Sequence, residues 1–132
     1  MGTRTTIAIV IGVIVAAVTA GLFALGSPAR ARERRFDIKR VEHLAQLNMS
    51  VNSYYASSGH LPAALSDLQQ ETGYTTTLRD PASAEPYEYR VIDGNAYELC
   101  ATFQQAAKGA SRKWQHGAGR HCFKHRPQNK DW

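Results

Sequence analysis

Residues Thr5–Gly26 read TTIAIVIGVIVAAVTAGLFALG, and from Ile7 to Leu25 no charged residue interrupts them. At ~1.5 Å per residue a helix over this run approaches the ~30 Å of a bilayer's hydrocarbon core. We read it as a membrane anchor, with the lipid bilayer as partner through residues 7–25. A cleaved secretory signal is the alternative, since Arg4 supplies a basic flank and Ala24-Leu25-Gly26 or Ala29-Arg30-Ala31 offers small residues for cleavage. The run is longer than a usual signal core and is followed by arginines, which favours the anchor.

Behind the anchor (1–26), the segment 27–35 is basic, and Arg30, Arg32, Arg34, Arg35, Lys39 and Arg40 lie close to the span. Lipid headgroups are their nearest partners, and ordinary juxtamembrane charge explains them equally well. The net charge of +5 conceals a division: residues 41–103 are acidic and 104–132 basic. The chain has 132 residues, so what remains beyond the anchor suffices for one small domain and not for a cleft between two. Orientation is contested within the sequence. The basic residues behind the span argue for a cytoplasmic domain. The cysteines, Cys100 and Cys122, argue for an oxidising compartment if they pair, and two unrelated buried thiols are the alternative.

Pro28 suits a helix start after the Gly26-Ser27 interruption. Phe36, Ile38, Val41, Leu44, Ala45, Leu47, Val51, Tyr54 and Tyr55 then recur at three- and four-residue steps. That pattern predicts an amphipathic helix with Asp37, Arg40, Glu42, His43, Asn48 and Asn52 on other faces. Gly59 closes it and Pro62 prevents its resumption. Leu61, Leu65 and Leu68 form one side of a short helical turn, residues 71–78 read as loop with a short strand, and Arg79-Asp80-Pro81 opens a turn region ending at Pro86.

From Tyr87 the period becomes two. Tyr87, Tyr89 and Val91, then Tyr97, Leu99, Ala101 and Phe103, alternate with polar residues about Asp93-Gly94-Asn95. A three-residue loop keeps the apolar faces together by opposing Val91 to Tyr97, Arg90 to Glu98 and Tyr89 to Leu99. The hairpin's apolar face and the helix's stripe are expected to bury each other, leaving Cys100 pointing away from that core. A third strand over Arg120–Phe123 would bring Cys122 to the same outer face. Residues 104–113 read as a loop with Trp114 tucked onto the sheet, and 124–132 as a mobile basic tail.

Together, a helix ending in SYYASSGHLPAALSDL and the segment LRDPASAEPYEYRVIDGNAYELCATF resemble type IV pilins and type II secretion pseudopilins. Tyr54 or Tyr55, Gly59, Leu61, Pro62, Leu65, Leu68, Asp80, Pro81, Pro86, Tyr87, Tyr89, Tyr97 and Leu99 carry the likeness. It implies a pilin-like α+β fold over 36–123, with tyrosines covering the helix, prolines fixing turns and Asp80 accepting backbone hydrogen bonds. It also implies a disulfide between Cys100 and Cys122 and an extracytoplasmic domain on a single-pass inner-membrane protein. The family's processing site is missing: Thr3 follows Gly2, no aromatic precedes Phe23, and no acidic residue precedes Glu33.

The expected role is structural or protein-interacting, beside a secretion or pilus system, with no enzymatic activity and no cofactor. The rival is a cytoplasmic-facing metal- or nucleic-acid-binding protein. His116, His121, Cys122 and His125 with Cys100 would form its zinc site, although their spacing is no strong signature and surface histidines are the plainer reading. Trp114, Trp132 and the basic tail would touch single-stranded nucleic acid, which we do not expect as a partner. Gly117-Ala118-Gly119 reads as a turn and not as a phosphate loop.

Overall fold

The computed structural model describes residues 2–24, 26–68, 79–107 and 111–127. The chain forms two compact units, Met1–Arg32 and Glu33–Trp132. In the first, helix α1 spans Thr3–Ala24 and buries none of its residues. It lies near the N-terminus and is long and apolar enough to cross a membrane, a test that a secretory signal also passes. Gly26 takes φ +75°, where a side chain would be strained, and Pro28 begins helix α2, Pro28–Ser58.

The second unit is α+β. Among the described residues its sheet has three antiparallel strands in the order β1 (Glu88–Asp93), β2 (Ala96–Phe103) and β3 (Gly119–His125). Leu44, Leu47 and Val51 of α2 are fully buried in one cluster with Tyr87, Tyr97, Leu99, Ala101, Phe103 and Phe123, so the helix stripe and the sheet cover each other. At about 1.5–3 kcal/mol for each large apolar side chain, this burial dominates the domain's stability. Leu65 and Leu68 join the cluster from the turn after α2, where the Leu68 amide donates to the Leu65 carbonyl at 3.2 Å.

The helix face needs correction in its polar members. The residues that α2 buries are Asp37, Arg40, Leu44, Leu47, Asn48 and Val51, whereas Ile38 is half exposed. These buried positions follow one another at helical spacing, so Asp37, Arg40 and Asn48 lie on the core-facing stripe and not on other faces. Burial of such groups is tolerable only with partners. Asn48 accepts a hydrogen bond from the Tyr97 hydroxyl at 2.9 Å. Tyr97→Phe should therefore leave a buried acceptor unpaired and cost about 1–3 kcal/mol, read as a lower thermal midpoint by circular dichroism of the detergent-solubilised chain. An unchanged midpoint would show that the bond contributes nothing net.

Asp37 and Arg40 belong to a larger clamp. Arg40 Nη1 donates to Asp37 Oδ1 at 2.7 Å, while its Nε and Nη2 grip both carboxylate oxygens of Asp80, Nη2 at 3.0 Å. Asp37 also accepts the Gln104 and Gln105 amides, and Asp80 the Ala82 and Ser83 amides. One guanidinium thus ties α2 to the turn before β1, and its Asp37 partner ties α2 to the end of β2. Burial opposes the charge on Asp80, but hydrogen bonds from Arg40 and the two amides outweigh it and hold the carboxyl below its usual range.

The hairpin register is as the alternation requires: Val91 opposes Tyr97, Arg90 opposes Glu98 and Tyr89 opposes Leu99. The turn is built differently from the expected three-residue loop. Asp93 pairs with Ala96 around Gly94-Asn95, and a bulge between Val91 and Asp93 takes up the extra residue. A two-residue turn alone would mix the faces; the bulge restores them. Val91, expected on the covered face, is 40% exposed at the hairpin end.

β3 reaches His125, so Lys124 and His125 belong to the sheet and not to a tail; Pro127 is buried too. Trp114 packs on Phe123 at 5.0 Å between ring centroids, and within 104–113 Ala107 bridges His116 and a 3-10 turn spans Arg112–Trp114. The loop with a short strand expected over 71–78, and the tail residues 128–132, lie outside the described residues.

Candidate functional site: the disulfide face of the sheet

The residues singled out for the helix-to-sheet architecture fall where they position the domain. The Gly59 amide donates to the Tyr55 carbonyl at 2.9 Å while Gly59 takes φ +76°, the left-handed cap that ends α2. Pro62 is buried, and its carbonyl accepts the Tyr89 hydroxyl at 2.9 Å. Pro81 and Pro86 bound a turn in which Arg79 bridges Pro86 and Ala84 takes φ +59°. The Tyr87 hydroxyl hydrogen-bonds His43 Nδ1 at 2.9 Å, and burial pushes the Tyr87, Tyr89 and Tyr97 phenols upward, Tyr89 to about 12. These tyrosines stay neutral and serve as packing surfaces with one hydroxyl each.

The opposite face of the sheet carries the chemistry. β-Strand alternation and the pairing together set one cross-strand row of Glu88, Cys100 and Cys122, flanked by a row of Arg90, Glu98 and Lys124, with Thr102 and Arg120 on the other side. Cys100 and Cys122 are directly opposed and joined as a disulfide. Cys100 does face away from the helix-side core, yet it is only 2% exposed, and its neighbour in the alternation Glu98 only 4%. β2 is the central strand, and long side chains from both neighbours cover it.

Arg120 reaches over this row from β3. Its guanidinium donates to both Glu88 oxygens, Nε at 3.1 Å and Nη2 at 2.6 Å, and Nη2 also lies 3.6 Å from Cys100 Sγ. That hydrogen bond holds the Glu88 carboxyl below its ordinary range. Arg90, largely exposed, pairs with buried Glu98 at 2.6 Å. A solvent-open groove runs between these groups, lined by Glu88, Tyr89, Arg90, Glu98, Cys100 and Arg120. The Arg90–Glu98 opposition is readable from the alternation; Arg120 was missed, although its place two residues before Cys122 puts both on one face.

The histidine and cysteine residues weighed as a zinc site are not brought together. Alternation along β3 sets His121 and His125 on the face opposite Cys122, and His116 stacks on Phe103 at 3.6 Å between centroids. Among the described residues, Glu98, Cys100 and Cys122 do place ligand-type atoms within 4.8 Å of one another, but sulfurs joined in a disulfide offer no thiolate to a metal. His125 is buried between the Tyr97 and Trp114 rings, and among the described residues its Nε2 has no hydrogen-bond partner. Comparison of the chain with models of protein families, with curated proteins and with solved structures finds no match.

Proposed function

We propose that this chain is a membrane-anchored, pilin- or pseudopilin-like structural protein whose α+β domain engages another protein at the outer face of a bacterial cytoplasmic membrane, beside a secretion or pilus system. The observation that carries the reading is the joining of α1, apolar and without buried residues, to a domain whose central and edge strands share a disulfide. α1 anchors, with ~33 Å of helix available at ~1.5 Å per residue. The disulfide favours an oxidising compartment. The long helix packed on a short antiparallel sheet supports the pilin-like architecture.

Labelling of Cys100 and Cys122 in intact cells with a membrane-impermeant thiol reagent tests this. Labelling only after reduction is the expected result. Cysteines that stay silent in intact cells with reductant, yet label after lysis without it, would place the domain in the cytoplasm. That outcome would abandon the proposal in favour of the orientation that the arginines behind the span support.

A further inference from the structure

We propose that the Cys100–Cys122 disulfide is a thiol-exchange site, opened by an external dithiol that attacks Cys122, with Cys100 as the leaving sulfur and Arg120 as the group that stabilises it. The assignment of roles follows from exposure and charge. Cys100 is almost wholly covered, whereas Cys122 sits half buried on the edge strand β3. The guanidinium contact is to Cys100, at 3.6 Å from its sulfur. A cation beside a sulfur lowers its thiol pKa, and a sulfur of lower pKa leaves faster.

The surroundings suit an anionic attacker. Arg90, Arg120 and Lys124 occupy the two rows that flank the disulfide, against the carboxylates of Glu88 and Glu98. Glu98, within 4.8 Å of both sulfurs, would repel a thiolate, but its charge is met by Arg90 at 2.6 Å. The local excess is positive and draws a thiolate in. The open groove beside Cys100 lets water share the charge that Arg120 meets first.

A thiolate of the dithiol attacks Cys122 Sγ, forming a mixed disulfide while the bond between the cysteines breaks and its electron pair departs on Cys100 Sγ. The second thiol of the same reductant, deprotonated, then displaces Cys122 Sγ. The reductant ends as its own disulfide, two electrons have passed to the protein, and the two protons released by the dithiol are available to the cysteines. The sheet survives the opening, because the cysteine pair is the central one of seven paired positions between β2 and β3, with three on either side. Exchange at this site therefore cycles without unfolding the domain.

The test uses the full oxidised chain in detergent at neutral pH. Reduction by dithiothreitol is followed by alkylation and mass, and the transient adduct with glutathione is located by peptide mapping. We expect the adduct on Cys122, and reduction about tenfold slower in Arg120→Gln, because the departing sulfur then loses the cation beside it. Glu88→Gln breaks the same ion pair but keeps the guanidinium, so its rate should not fall. An adduct on Cys100, equal rates for wild type and Arg120→Gln, equal slowing by Glu88→Gln, or reduction only after denaturation would each overturn the proposal. The outcome is independent of which side of a membrane the domain faces, so it stands or falls apart from the labelling of intact cells.

Discussion

Arg40→Met should lower the stability of the domain by about 3–5 kcal/mol, the usual cost of removing one partner from a buried ion pair. Arg40 is 3% exposed and Asp37 5%, so loss of the guanidinium would leave the Asp37 and Asp80 carboxylates without the cation that both now contact. The damage is that of uncompensated charge, because methionine fills much of the arginine stem's volume. Asp37→Asn and Asp80→Asn added to Arg40→Met should then recover at least about 1–2 kcal/mol. Both amide side chains still offer an oxygen to the Gln104, Gln105, Ala82 and Ser83 backbone amides that the carboxylates now serve. Thermal unfolding of the full chain in detergent measures all three proteins. No recovery in the triple variant would locate the loss in packing of the arginine stem and not in its charge.

Stability should also fall steeply in mild acid, and His125 is the cause with the largest effect. Burial, with a smaller contribution from the Lys113 cation, pushes its imidazole from 6.5 down to about 4. In the unfolded chain the group takes up a proton as the pH drops through about 6.5; in the fold it resists until about 4. The unfolded state therefore binds more protons between those values, and stability present above pH 6.5 is lost progressively toward 4, by about 3 kcal/mol in total. His43, lowered chiefly by burial, adds loss of the same sign. Asp80, held below 3.8, contributes only at still lower pH. Replacing His125 by Phe, which suits its place between Tyr97 and Trp114, should flatten the profile over this window, leaving the smaller share of His43. A variant profile parallel to that of wild type would remove His125 from the account.

These two effects mark what sequence reading did not reach. Asp37 and Arg40 look like members of a polar helix face because the residue that makes their burial tolerable, Asp80, is forty positions away, and the amides of Gln104 and Gln105 are farther still. His125 reads as part of a basic tail, since nothing next to it announces the Tyr97 and Trp114 rings that enclose it. The bulge beside Ile92 is likewise silent: the sequence requires the register, and two different turns deliver it. The zinc grouping of histidines with Cys122 was open on spacing alone, and strand alternation sends its members to opposite faces.

The apolar helix, the amphipathic helix closed at Gly59, the hairpin register from Tyr89 to Leu99, and the common outer face of Cys100 and Cys122 are all legible in the order of residues. All of these rest on short-range periodicity, three to four residues in a helix and two in a strand, which a chain carries in its own order of apolar and polar residues. That Arg40 is a buried clamp, that His125 is enclosed, and that Arg120 lies against the Cys100 sulfur emerge only in the folded chain. Each depends on a partner distant in the chain, and the energy of a buried charge, an enclosed imidazole or a sulfur beside a cation is set by that partner and by the water it excludes.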